Sequence, residues 1–373
     1  MHQEREGDPM SYRTPESRKA DVQEVARALR EARRVILTTH LNADGDGSGC
    51  EAALLSLIEE AGGEAWIVNP TPFPEPFRFL VQDQSRILHA GSGEAAGRCR
   101  DADLCVVVDT GEKSRIGRVK PLVDHLPLVI VDHHPPGEDA LEGVSLRDPS
   151  AAAAGELIHD LALELGGPWT RSVVEGIYVA ILTDTGSFRF SNASPGAHRV
   201  IADLIERGAS PDLLYRRVYG EVPIRRFQLL GATLPTLEVA SGGGAAWMTV
   251  PSARFDELGC TSEDLDGMVD YPREIEGVEV GLLFREIEPG QVKVSFRSNS
   301  TVDVNAIARE FGGGGHVRAS GALVKGELGD VRERVVARVV RAVAEEEALS
   351  GHSVAATGSG PSGEPVQSSG VLG

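Results

Sequence analysis

The chain has 373 residues, with 37 basic against 56 acidic side chains and a formal net charge of −19. That length exceeds one ordinary core and fits two domains. The acidic balance, with a pI near 5.0, excludes broad electrostatic binding of long duplex nucleic acid, which needs a net basic surface. No apolar run approaches the roughly 20 residues of a membrane-spanning helix. The charged start MHQEREGDPM does not read as a secretory signal. Cys50, Cys99, Cys105 and Cys260 form no C-x-x-C pair, which argues against structural zinc and a disulfide framework. Together these features point to a soluble protein of a reducing cytoplasm, with no membrane partner.

In chain order, polar residues 1–16 are expected to be disordered. A helix is expected over 21–34, with Asp21 as its N-cap and Val22, Val25, Leu29 and Ala32 at helical spacing. Apolar runs at 35–39 (VILTT), 64–68 (EAWIV), 86–89 (RILH), 104–108 (LCVVV) and 128–131 (LVIV) read as buried strands, with a helix at 48–61 between the first two. Strand–helix–strand repetition implies an α/β fold with a parallel sheet and helices on both faces. From 151 the pattern turns helical, and 206–240 reads as a helical connector. After SGGG at 241–244, strands are expected at 246–250, 278–286 and 291–297, the last two as a hairpin across Pro289-Gly290. A helix at 304–311, a strand at 322–325 and a helix at 331–349 complete a smaller C-terminal α/β domain. Residues 350–373, rich in Gly, Ser and Pro, are expected to form a disordered tail.

Four apolar segments read as strands end in metal-binding residue types. VILTTHLNADGDGSG supplies His40, Asp44 and Asp46, and LCVVVDTGE supplies Asp109. LVIVDHHP supplies Asp132, His133 and His134, and IYVAILTDTGSFRF supplies Asp184. The carboxyl ends of parallel strands lie together beside the ligand crevice, so these distant residues are expected to meet. Imidazole with several carboxylates suits Mn²⁺ or Mg²⁺ better than zinc bound by thiolates, and so many carboxylates without cations would repel one another. Asp109 or Asp184 alone could be a helix cap. A calcium loop starting at Asp44 would place Leu55, not Glu, at its twelfth position. In GGGGHVRASG at 312–321 a dinucleotide fingerprint fails, because its third glycine falls on Val317. A phosphate-binding loop, with His316 and Arg318 adding donors, is the favoured reading over a plain flexible loop.

The ordered set HLNADGDGSG (40–49), VVVDTG (106–111), VDHHP (131–135), LTDTGSF (182–188), SFRSN (295–299) and FGGGGHVRASG (311–321) resembles the DHH phosphoesterases that carry a DHH-associated C-terminal domain. The layout is similar to their bifunctional oligoribonuclease and pAp phosphatase (nano-RNase) subfamily, pAp being adenosine 3′,5′-bisphosphate. The resemblance implies a DHH catalytic domain over 17–205, the connector at 206–240 and a substrate-binding domain over 241–349. It implies that His40, Asp44 and Asp109 hold one divalent cation, and that Asp46, Asp109, His133 and Asp184 hold a second. Mn²⁺ is the first choice, with Mg²⁺ or Co²⁺ as alternatives. Asp132 would orient the neighbouring histidines, and His134 would assist the leaving group. Arg297, Ser298, Asn299, Gly313, Gly314, Gly315, His316 and Arg318 would bind substrate.

The implied activity is hydrolysis of short RNA or DNA oligonucleotides to mononucleotides and of pAp to AMP and phosphate, by a hydroxide activated between two metals. The alternative is a phosphodiesterase acting on cyclic dinucleotides such as c-di-AMP, or on pApA. Family members often form homodimers. A soluble pyrophosphatase and a long-strand exonuclease of the RecJ kind fit less well, the first for want of a basic C-terminal substrate segment and the second on size. A nucleotide-sensing protein without turnover is the reading from outside enzymology, and the complete ligand set speaks against it.

Overall fold

The computed structural model describes residues 12–137, 139–220, 223–299 and 301–356, apart from the side chains of 316, 347 and 349–356. Two compact units divide the chain, Met1–Glu221 and Val222–Gly373. The division falls inside the segment read as a connector.

In the first unit the order is α1 (Glu16–Glu31), β1 (Arg34–Thr38), α2 (Gly45–Glu60), β2 (Glu64–Asn69), β3 (Ile87–His89), α3 (Gly93–Asp101), β4 (Leu104–Val108), α4 (Lys120–Val123), β5 (Leu128–Asp132) and β6 (Val144–Arg147). The helices α5 (Ala154–Leu165), α6 (Arg171–Asp184), α7 (Pro195–Glu206) and α8 (Pro211–Tyr215) follow. The six strands form one sheet in the order β3-β2-β1-β4-β5-β6, every pair parallel. β1 and β4 are buried almost throughout because both faces of the sheet are covered. Leu37, Val106 and Val129 pack on one side with α1, α2, α5, α6 and α7, while Ile36, Trp66, Val107 and Ile130 pack on the other beneath α3 and α4. From β1 the chain builds outward to β2 and β3, then returns to add β4 on β1's other side. That reversal opens a crevice at the carboxyl ends of β1 and β4.

α2 and α6 cross in close contact. A Cβ at Gly49 would stand 2.3 Å from the Gly176 carbonyl oxygen, and one at Gly176 would stand 2.5 Å from that of Gly49. Only glycine at both positions permits the crossing, which carries the end of α6 to the start of α2.

Three expectations change here. α1 starts at Glu16 behind Pro15, so Asp21 lies inside the helix and does not cap it. Part of the stretch expected to be disordered is tied down, since Tyr12 and Thr14 both donate to Asp160 Oδ1, at 2.9 and 2.8 Å; residues 1–11 lie outside the described residues. The edge strand β6 was not anticipated, because Val-Ser-Leu-Arg is too short and mixed to carry a pattern. In the connector, α8 runs into a π-helical turn at Arg216–Gly220, and a further helix, α9 (Ile224–Thr233), opens the second unit.

The second unit continues with β7 (Glu238–Val239), β8 (Ala245–Thr249), α10 (Ser252–Glu257), α11 (Asp270–Arg273), β9 (Val280–Glu288), β10 (Gln291–Ser298), α12 (Val304–Glu310), β11 (Gly314–His316), β12 (Ala319–Lys325) and α13 (Leu328–Ala356). Its mixed sheet has the order β11-β12-β10-β9-β8-β7, with β8 and β9 parallel and the other pairs antiparallel. Val292, Val294 and Phe296 pack beneath α12 and α13. Met248 and Leu283 pack on the opposite face with Leu229 and Phe255. The hairpin at Pro289-Gly290 is present as expected, whereas part of the glycine-rich segment is not a loop: Gly314–His316 form the edge strand β11. The expected tail overlaps α13 to residue 356, and 357–373 lie outside the described residues. Among the described residues no helix is long and apolar enough to cross a membrane.

Candidate metal centre

The crevice of the parallel sheet gathers the first three motifs. His40 follows β1, Asp109 follows β4, and Asp132 closes β5 with His133 and His134 behind it. The fourth residue arrives by another route. Asp184 ends the helix α6 and not a strand, because its apolar run packs all round as a buried helix.

Local structure fixes each side chain. Asp44 caps α2, its Oδ1 accepting from Asp46 N at 3.0 Å and Gly47 N at 3.3 Å. The buried Asp46 carboxylate accepts from the first-turn amides of α5, Ala154 N at 2.7 Å and Gly155 N at 2.9 Å, where helix amides favour an anion. Asp109 is buried with φ at +57°, a left-handed conformation that aspartate tolerates and that is typical of functional turns. Asp132 Oδ1 accepts from both the backbone N and the ring Nδ1 of His134, at 3.1 and 2.9 Å. The structure thus gives Asp132 a clear hold on His134.

The side chains meet in three overlapping groups: His40 with Asp44 and Asp109; Asp46 with His133 and Asp184; and Asp109 with His133 and His134. Within each, one ligand atom per residue lies within 4.8 Å of the others. His133 Nε2 is buried and makes no hydrogen bond, yet stands 3.6 Å from Asp46 Oδ2, 3.5 Å from Asp109 Oδ1 and 3.6 Å from Asp184 Oδ2. A buried nitrogen left unbonded among three carboxylates is costly unless something binds there. His40 adds a second sign. Its Nδ1 lies 2.8 Å from the Leu41 carbonyl oxygen, so Nδ1 carries the hydrogen. In the neutral ring the Nε2 lone pair then faces Asp109 Oδ2 at 3.2 Å and Asp44 Oδ2 at 3.8 Å.

Electrostatics agree. Burial alone would keep His40 and His133 neutral, but Asp109 and its neighbouring carboxylates outweigh it and pull both up to about 10. Burial and the nearby Asp109 raise Asp184 to about 6, against the pull of His133. Asp46 is also pushed well up by burial. The cluster is short of positive charge, and its donors are nitrogen and oxygen, the set that suits Mn²⁺ or Mg²⁺.

Supporting residues outside the motifs were missed. Asn69, at the end of β2, accepts from Thr39 N at 3.3 Å, just before His40, and donates to the buried Glu51 at 2.9 Å. A polar residue closing the apolar run AWIVN was the available signal. Asn192 braces Asp184, donating to its carbonyl oxygen at 3.1 Å.

The expected substrate residues lie in the second unit. Strand register aligns Arg297 with Ala319 and Ala319 with His316, so one row crosses three strands. The His316 side chain lies outside the described residues. Ser298 is buried, and Asn299 Nδ2 donates to the carbonyls of Arg273 and Val278, at 2.8 and 2.9 Å. The Arg318 carbonyl accepts from Ser298 N at 2.9 Å.

Known proteins place this arrangement. Residues 34–181 match the DHH family, N-terminal domain, and 246–345 match the DHHA1 domain. A Thermus thermophilus protein named bifunctional oligoribonuclease and PAP phosphatase NrnA is 33% identical, covering 82% of this chain and 89% of its own. A Bacillus subtilis protein of the same name is 28% identical over 78% of this chain and 89% of its own. The crystal structure of an exopolyphosphatase-related protein from Bacteroides fragilis superposes with a TM-score of 0.80 at 23% identity, covering 89% of this chain and 97% of that one.

Proposed function

Because the chain belongs to the DHH phosphoesterase family and carries a DHHA1 domain after its DHH domain, we propose that it is a metal-dependent hydrolase of short oligonucleotides and of pAp. The relatives named oligoribonuclease and PAP phosphatase support the substrate class. The observation that carries the chemistry is His133 Nε2, buried and unbonded among Asp46, Asp109 and Asp184.

In this reading His40, Asp44 and Asp109 hold one cation, and Asp46, Asp109, His133 and Asp184 hold the other, Mn²⁺ in preference to Mg²⁺ or Co²⁺. Bound there, the cations supply charge against the phosphoryl oxygens and lower the pKa of water. The protein does the rest. α5 and α2 lock Asp46 and Asp44 through backbone amides, so the ligands need no reorganisation. Asp132 fixes the His134 ring through Nδ1, and His134 assists the leaving oxygen through Nε2. Arg297 belongs to the substrate grip in the second unit. Four free cysteines accord with a reducing compartment such as the cytoplasm.

The test is a substrate panel. Purified protein with Mn²⁺ is expected to release phosphate from pAp and to shorten dinucleotides and five-mers, with all activity lost in EDTA and restored by Mn²⁺. Rapid turnover of c-di-AMP alone would make it a cyclic dinucleotide phosphodiesterase instead. Full activity in EDTA would overturn the metal assignment.

A further inference from the structure

The first unit buries one more carboxyl near the metal centre, outside every ligand group. Glu51 lies about one and a half turns along α2 from Asp46 and has none of its surface exposed. Its Oε2 accepts from Asn69, and its Oε1 makes no hydrogen bond. Among the described residues no lysine, arginine or histidine nitrogen lies within 4.0 Å of it. Burial pushes the carboxyl up to about 8, against the pull of the Asn69 hydrogen bond and of His40. A carboxyl so placed costs stability, since an apolar side chain of similar size would fill the space without an unpaired oxygen. Packing alone therefore gives no reason for an acid at this position.

The bond to Asn69 has a fixed direction. The backbone N–H of Thr39 can only donate, so Asn69 turns its Oδ1 to that N–H, at 3.3 Å, and its amide nitrogen to Glu51 Oε2, at 2.9 Å. Glu51 is thus the acceptor that holds the Asn69 amide in this orientation. From Thr39 the line continues, because its Oγ1 donates to the Val108 carbonyl at 2.9 Å. Thr39 immediately precedes His40, and Val108 immediately precedes Asp109.

Three hydrogen bonds therefore join α2 to the ends of β2, β1 and β4, the last two leading directly into His40 and Asp109. Asn69 and Thr39 are buried like Glu51, so water does not compete for these bonds.

We propose that Glu51 is a positioning residue for the metal centre, acting through Asn69 and Thr39 to set where His40 and Asp109 present their ligand atoms. This role rests on the metal site proposed above, and Glu51 itself touches neither cation nor substrate. Mn²⁺ binding to the full chain, measured by calorimetry, tests it. Glu51→Met keeps the length of the side chain and removes the acceptor, and it is expected to weaken Mn²⁺ binding about tenfold. Glu51→Gln keeps an acceptor oxygen for Asn69 and should retain the wild-type affinity. Asn69→Ala should lose about as much as Glu51→Met, and the double variant no more than either alone, because the two residues act in one line. Unchanged affinity in Glu51→Met, an equal loss in Glu51→Gln, or losses that add in the double variant overturn the role. Asn69→Ala reads the same link one bond nearer His40, so unchanged affinity there overturns it even if Glu51→Met fails to fold. Phosphate release from pAp by the wild type with Mn²⁺ reads the proposed function separately. No release beside a Glu51-dependent Mn²⁺ affinity would sink that function and leave this role standing, whereas a wild type that binds no Mn²⁺ would sink both.

Discussion

The first unit buries two acidic clusters, and they are built on opposite principles. In one, Arg18 from α1 meets Asp160 at 2.7 Å, Asp148 at 2.9 Å and Glu156 at 2.9 Å, with Tyr12 and Thr14 adding hydrogen bonds to the group. In the other, Asp46 and Asp109 are as deeply buried and Asp184 is close by, but no arginine or lysine reaches them among the described residues. The first cluster carries its own cation and is a structural brace, since its charge is supplied when the chain folds. The second has no lysine or arginine of its own among the described residues, and that lack fits the proposed metal site.

Substitutions that exchange these roles break or sharpen the contrast. The largest effect is expected at Arg18→Met, which strands Asp160 and Glu156 in the core. Loss of one partner of a buried ion network costs about 3–5 kcal/mol, read as a lower urea midpoint. An unchanged midpoint would mean that the brace is idle. Asp109→Asn is expected to do the reverse. Asparagine keeps the left-handed backbone at +57°, so the fold should hold, while the rate on pAp falls by about 100-fold or more. A collapse in stability there would erase the distinction between the clusters.

The smallest effect concerns pH. Burial pushes Asp148 up, but hydrogen bonds from Ser150 and the Arg18 charge outweigh it and hold its pKa below the ordinary value. Its stabilising contribution is therefore fully present above the unfolded-state pKa, near 3.9, and is lost as pH falls through the lower folded-state value. Asp148→Asn should flatten the acid limb of a stability–pH curve below about pH 4 and leave its slope near neutrality unchanged. An identical acid limb in both proteins would remove Asp148 from the brace.

Residue type and order made most of this legible. Short β-branched runs alternating with helical spacing specified the parallel sheet, because strands covered on both faces must be apolar throughout. The acids and histidines after those runs marked the centre, since such strand ends share one crevice. What stayed hidden depended on contacts between distant segments. Nothing local distinguishes Arg18 from a surface arginine, or Asn69 from a strand-ending turn residue. The run ending at Asp184 could not declare that it would serve as a helix braced on α2.

By itself, then, the chain determined the architecture and which acids and histidines gather at the candidate metal centre, because those follow from local periodicity and from chemical type. Only the tertiary structure decided which buried charges neutralise one another and which are left open. It also decided that Gly314–His316 form the edge strand β11 and not a loop. Charge balance is a property of neighbours in space, and chain order does not encode it residue by residue.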